Sequence, residues 1–511
     1  MDSLVIHGHF YQPPRENPWT GVVEEEPSAH PFHDWNERIT TECYAANTRA
    51  LVNGKPVNNY AAISFNFGPT LLRWLADHHP ETYALIREAD KASVVDRGGH
   101  GNAIAQAYGH AILPLCNERD RLTQVVWGLA DFRYRFGREP ESMWLPETAC
   151  DDATLSVLIE QGLRFVILAP NQAARCRSLD GVEWKAVADG SIDVSRPYRY
   201  SHRDGSGRSI VIFFYDGPLA RAIAFERALA SSAALVRMFK QATAIPGRNG
   251  GLVNIATDGE TYGHHFKFGD LCLAHATHLE APQAGFEVTN YGQYLDRFPP
   301  EFEVEISAGA DGKGTSWSCA HGVGRWIRDC GCETGGEAGW NQAWRGPLRD
   351  ALDFLRDEAA KAFEKTGAAL FNDVWAARNA SIDLILDESL SRSDFLKQHT
   401  KGPLSPADEL RALTLLEMQC DALLMFTSCG WFFNDLSGIE TIQILKYACR
   451  VIDLMDQLSL PSPRARFLEL LAQAKSNRPK MGSGADIYRR LVEPSNPNFI
   501  ARQDELAGAP A

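Results

Sequence analysis

The sequence predicts an α/β fold, a distorted β/α barrel followed by an all-helical C-terminal domain. Short apolar runs rich in Val, Ile and Phe alternate with helical patterns from residue 1 to about 307, the pattern of parallel strands joined by helical crossovers. Seven or eight such units favour a closed barrel over an open sheet. After Pro347 the alternation stops, and Leu348, Leu352, Leu355, Ala359 and Phe363 recur at helical spacing.

The strand candidates are Leu4–Phe10, Ala61–Phe67, Ser93–Asp96, Ser142–Glu147, Phe165–Ala169, Ile210–Tyr215 and Leu252–Thr257, most of them bounded by Gly or Pro. Between them, Pro69-Thr70 opens a helix carrying Leu71, Leu72, Trp74 and Leu75. Leu122 to Phe136 forms another, stopped by Gly137, and Asp151-Asp152 caps a third that stops at Gly162. Residues 308 to 314 read as a hinge. Further helical patterns run over Pro406–Met425, Gly438–Leu458 and Arg464–Ala474. The expected division is a catalytic barrel over 1–307, a Trp- and Cys-rich substrate-site segment over 308–346, a helical accessory domain over 347–500 and a flexible tail over 501–511.

The bulk numbers narrow the partners. With 51 Lys+Arg against 65 Asp+Glu the net charge is −14, which argues against nucleic acid and anionic membranes and is compatible with a neutral oligo- or polysaccharide. The 12 Trp among 511 residues suit a packed core and also suit stacking on sugar rings. No run of 18 apolar residues exists, no secretory leader pattern opens the chain, and the eleven Cys are odd in number and scattered. A cytoplasmic setting with free thiols is expected. No cofactor is implied.

In parallel β/α folds the reactive groups gather past the carboxyl ends of strands. His7-Gly8-His9 ends the first strand, and residues two apart share a face. The pair can hydrogen-bond a neutral substrate, ligate a metal or be structural. Met143 to Pro146 is an apolar strand ending in Glu147. Ile255 to Thr257 delivers Asp258, breaks at Gly259, and continues through Glu260, His264 and His265. Glu147 and Asp258 are the two carboxylates that glycosidic cleavage requires, one as ionised nucleophile and one as proton donor. Ser316 to Trp344 holds four Trp on a Gly-rich stretch and reads as a sugar-stacking surface. Within it Cys319, His321, Cys330 and Cys332 form a C-x-H…C-x-C set. The set lacks the usual two-residue spacer between paired zinc ligands, and is read as free thiols with no metal assigned.

Together these stretches resemble glycoside hydrolase family 57. His7-Gly8-His9-Phe10-Tyr11-Gln12-Pro13 looks like its first motif and Gly101-Asn102-Ala103 with Tyr108 to Leu115 like its second. Trp144-Leu145-Pro146-Glu147 looks like the third, Asp258-Gly259-Glu260 with Gly263-His264 like the fourth, and Ser316-Trp317 with Trp340, Asn341 and Trp344 like the fifth. The resemblance implies an incomplete (β/α)7 barrel with a helical domain and retaining action on α-linked glucans, with Glu147 as nucleophile and Asp258 as general acid/base. It further implies His7, His9, His110, Trp144, Glu260, His264, Trp317 and Trp344 as substrate-binding residues. The C-terminal part, with Phe426 to Phe433, resembles an accessory domain of an uncharacterised branch, and the Cys-bearing insertion departs from the better-known members. Two rivals stand beside this reading. One is a metal-dependent carbohydrate enzyme (deacetylase- or mannosidase-like) using His7, His9, His110 and Asp258 as ligands. The other is a non-catalytic glucan-binding protein.

Overall fold

The computed structural model describes residues 1–248, 251–497 and 499; the expected tail at 501–511 lies outside the described residues. The chain divides into two compact units. One comprises residues 1–12, 25–108 and 128–318, and the other 13–24, 109–127 and the residues from 319 onward.

The first unit is built on seven parallel strands: β1 (Asp2–Phe10), β2 (Ser64–Phe67), β3 (Ala105–Gln106), β4 (Met143–Trp144), β5 (Phe165–Leu168), β6 (Ser209–Phe214) and β7 (Leu252–Asp258). β1 pairs in parallel with β7 on one side and β2 on the other. A parallel bridge from Phe65 to Ala103 leads to β3, which pairs with β4, and a bridge from Ser142 to Phe165 leads to β5, which pairs with β6. Between β6 and β7 the ring does not close as a ladder. The Asp216 N–H donates to the Asn254 carbonyl at 2.8 Å, and Asn254 Nδ2 to the Phe214 carbonyl at 3.0 Å. The reason lies in the sequence between β5 and β6, where the expected crossover helix is replaced by strands. Pro197–Ser201 pairs antiparallel with the free edge of β6 and extends it into a sheet with Phe302–Ile306, Ala173–Ser178 and Lys185–Ala186. The fold is thus an incomplete (β/α)7 barrel.

Caps and breakers set the helices. Asp151 accepts from the Thr154 N–H at 2.8 Å and starts the helix Asp152–Glu160, the next α-helix after β4. Gly137, at φ 67°, ends Glu118–Phe136. Two sequence expectations are corrected. Ser93–Asp96 is the last turn of the helix Pro80–Asp96, not a strand. The third barrel strand is Ala105–Gln106, too short to leave a pattern. In the second unit the helices Arg345–Gly367, Pro406–Leu424 and Ile439–Gln457 pack on one another. Ser405, followed by Pro406, caps the second of these. Among the described residues no helix is long and apolar enough to cross a membrane.

Candidate active site

Parallel register puts side chains of neighbouring strands at one level. His7 lies opposite Ser64 and Ala256, and His9 opposite Asn66 and Asp258. Inside a narrow barrel such polar residues must satisfy one another. His7 Nδ1 bonds Ser64 Oγ at 3.0 Å and His7 Nε2 bonds Asn66 Oδ1 at 3.1 Å. Asn66 Nδ2 reaches His9 Nδ1 at 3.0 Å and Gln106 Oε1 at 2.8 Å. The Trp144 ring stacks on both imidazoles, with centroids 4.8 and 4.9 Å away. Burial holds both histidines at a pKa of about 3, so the pair is neutral and serves as a rigid floor without charge.

Glu147 is the middle residue of a 3-10 turn, Pro146–Thr148, that follows β4. Its backbone is left-handed, φ 59° and ψ 21°, and Thr148 follows at φ 48°. A non-glycine residue there costs on the order of 1–3 kcal/mol and persists only where its surroundings hold it. The hold is visible. Gln172 exchanges hydrogen bonds with the Thr148 hydroxyl and carbonyl at 2.9 and 2.8 Å. Cys150 and Thr315 form an antiparallel bridge, and the Trp317 N–H donates to the Glu147 carbonyl at 3.0 Å. The same bridge brings Trp317 Nε1 to Glu147 Oε2 at 3.0 Å, and the Ser318 hydroxyl donates to that oxygen too. Both are donors, as an acceptor-only carboxylate requires. Trp317 keeps part of its surface exposed and stands edge-on to Trp144 at 5.1 Å and to Tyr215 at 6.2 Å.

Asp258 is the last residue of β7 and its only exposed one. Protein nevertheless surrounds it on most sides, as on the floor of a recess. Its pKa is pushed well up by that burial, then by the charge of Glu260, then by that of Glu147. The two carboxylates therefore share one electrostatic field. Tyr215, raised first by its own burial, feels Asp258 as well. The turn after Asp258 must be glycine, because a Cβ on Gly259 would meet the Phe10 ring at 2.2 Å. Glu260 is buried and accepts from the Tyr11 N–H at 2.9 Å and the Tyr44 hydroxyl at 2.6 Å. Burial outweighs these bonds and lifts its pKa to about 7.

The expected substrate-binding residues lie in different surroundings. His7 has no exposed surface and Trp144 only 1%; both belong to the floor. Glu260 is likewise covered by Tyr44 and the chain at Tyr11. His264 is paired with Glu42 and packs edge-on to Trp35. His110 and Trp344 belong to the second unit and are buried there. His110 bonds the Ser428 hydroxyl at 2.6 Å, and Trp344 is 1% exposed. His9, Trp317, Glu147 and Asp258 are the expected site residues that converge. Sequence reading missed Asn66, Tyr215 and the role of Ser318. The polar alternation Ser64-Phe65-Asn66-Phe67 inside a buried strand was the available signal for the first.

Among the described residues, the His, Cys, Asp and Glu side chains placed to converge on one ion are Cys319, His321, Cys330 and Cys332; His7, His9, His110 and Asp258 are not among them.

A family model described as glycosyl hydrolase family 57 matches residues 7–307, and one described as a domain of unknown function (DUF3536) matches residues 340–501. Alpha-amylase 1 of Dictyoglomus thermophilum is 26% identical over 131 residues, 25% of this chain and 18% of that protein, so the chain spans under a fifth of this curated relative. Among solved structures, an exo-type maltose-forming amylase from Pyrococcus sp. ST04 is similar at TM-score 0.64 and 16% identity, over 92% of this chain and 82% of that one. A GH57-type branching enzyme from Pyrococcus horikoshii is similar at TM-score 0.55 and 14% identity, over 94% and 95%. A 4-alpha-glucanotransferase from Thermococcus litoralis is similar at 0.51 and 16%, over 89% and 60%. At these identities the structural likeness carries the fold.

Proposed function

From the premise that the chain belongs to glycosyl hydrolase family 57, we propose that it cleaves or transfers α-linked glucan by double displacement, with Glu147 as nucleophile and Asp258 as general acid/base. The observation that carries the reading is the unequal pair of carboxylates. Glu147 is fixed by two donors, and Asp258 is driven toward its protonated form by burial and by the charges of Glu260 and Glu147. Such a separation assigns acid and nucleophile. Glu147 attacks the anomeric carbon and forms a glycosyl-enzyme while the Asp258 proton passes to the departing oxygen. Asp258 then takes a proton from the acceptor, and the glycosyl–Glu147 bond breaks. Water as acceptor gives hydrolysis, and a glucan hydroxyl gives transfer.

The α-glucan substrate is supported by the activities named for the similar amylase, branching enzyme and glucanotransferase. Trp317, partly exposed beside Glu147, supplies an aromatic face of the kind sugars stack on. His9 limits the floor beneath the reacting ring. A reducing, cytoplasmic setting completes the proposal, since eleven scattered cysteines remain thiols in such a compartment.

The test is a panel of α- and β-linked glycans with products separated by size and the first product's anomeric configuration read by NMR. Shorter α-glucans with retained configuration support hydrolysis; new longer chains support transfer. Glu147→Gln should lower kcat by at least roughly 10³-fold, the scale on which loss of a covalent nucleophile acts. Inverted product, or near-normal turnover in Glu147→Gln, overturns the mechanism.

A further inference from the structure

We propose that Cys319, His321, Cys330 and Cys332 form a closed, structural zinc site in the second unit. In the sequence the one-residue spacer between Cys330 and Cys332 favoured free thiols. In three dimensions the four donor atoms lie within 4.8 Å of one another, and the individual separations are more telling. Cys319 Sγ is 3.8 Å from Cys330 Sγ and 3.7 Å from Cys332 Sγ, and Cys332 Sγ is 3.5 Å from His321 Nδ1. A tetrahedral zinc with metal–sulfur bonds of about 2.3 Å and a metal–nitrogen bond of about 2.0 Å has edges of about 3.8 Å between sulfurs and about 3.5 Å from sulfur to nitrogen. These three separations match the edges of such a polyhedron. They are too long for a disulfide, which brings the sulfurs to about 2.0 Å.

The backbone explains how so short a spacer works. Gly331, between the two cysteines, is left-handed at φ 80°, and Gly322, after His321, is left-handed at φ 77°. Such turns aim flanking side chains at a common point, and only glycine adopts them without strain. Arg345 adds a cation in the field of Cys330 and Cys332, and its Nη1 holds the Cys332 carbonyl at 2.8 Å.

The segment needs such a staple. Between Cys319 and Gly339 the regular structure is one turn of 3-10 helix, Gly324–Trp326, and a loop so long with so little structure is uncommon inside a compact unit. Four protein ligands leave no coordination position open, so the role is structural. The softness of three thiolates and one imidazole selects zinc over magnesium or calcium.

Metal content is read without any activity, so this proposal and the glucan reading stand or fall separately. The full chain, purified with reductant and without chelator, should carry about one zinc per chain by elemental analysis. Cys332→Ser should lower that content at least roughly tenfold. If the variant does not fold, Co(II) exchanged into the wild-type chain should give the visible bands of a tetrahedral thiolate site, together with sulfur-to-cobalt charge transfer. Zinc below roughly a tenth per chain, both as purified and after incubation with Zn(II) and reductant, overturns the proposal. So does iron in place of zinc, or a disulfide among the three cysteines that persists under reductant.

Discussion

At the scale of single residues the proposed chemistry turns on how Asp258 keeps its proton. Burial is the largest cause, and the Glu260 charge comes next. A general acid works while protonated, so activity should fall as pH rises through the raised Asp258 pKa. Glu260→Gln keeps an acceptor for the Tyr11 N–H and the Tyr44 hydroxyl but removes the charge. The alkaline limb of kcat/KM should then move to lower pH. A limb that stays in place or moves up would show that Glu260 does not tune the acid. His7 and His9, held near 3, should contribute no limb near neutrality. The places of Glu147 and Asp258, past the end of one buried strand and at the end of another, were legible in the sequence because each closes a short apolar run. The fate of His7, Trp144 and Trp344 was not. A polar or aromatic residue near a strand end can face the cleft or lie beneath it, and for His7 the register opposite Ser64 decides between the two.

At the scale of elements, the missed third strand shows where propensity loses to packing. Val94 and Val95 favour strands, but the Arg97 N–H bonds the Ser93 carbonyl and the helix runs on through them. Asp90, buried in that helix, receives two guanidinium hydrogen bonds from Arg138 at 2.8 and 2.9 Å and the Ala103 N–H at 2.7 Å. Those bonds seat the approach to β3 outside any local pattern. β3 in turn needs Gly128 in the helix Glu118–Phe136, because a Cβ there would lie 2.0 Å from the Gln106 carbonyl oxygen. Two effects oppose each other in Gly128→Ala. Helix propensity gains about 1 kcal/mol, whereas overpacking against rigid backbone costs about 1–3 kcal/mol. With the clash on backbone the second should win. The denaturation midpoint should fall with an unchanged m-value. A rise in midpoint would mean that the helix shifts freely and that β3 is not seated by this contact.

At the scale of the whole chain, the two units are interleaved in sequence, which no local pattern announced. The helical unit takes residues 13–24 and 109–127 from the N-terminal half. Glu24 pairs with Lys446 at 2.9 Å, and Trp19 Nε1 donates to Asp453 at 2.9 Å. Buried Arg378 bonds Asp120 at 2.7 Å and the Thr123 hydroxyl at 2.6 Å, and Trp127 Nε1 reaches the Asn379 carbonyl at 3.0 Å. The Asp120–Arg378 pair spans 258 residues of sequence, so helical periodicity could reveal both helices but not their partnership. A cut after residue 346 would therefore not release a self-sufficient barrel. It would strand Asp120 without its guanidinium, a loss of about 3–5 kcal/mol for a broken buried pair, and would uncover Trp127, which is fully buried. Set against a total stability of roughly 5–15 kcal/mol, these losses should leave fragment 1–346 aggregated, or without a cooperative unfolding transition by calorimetry and size-exclusion chromatography. A monodisperse fragment that unfolds cooperatively and still processes glucan would show that the helical unit is an accessory the barrel can do without.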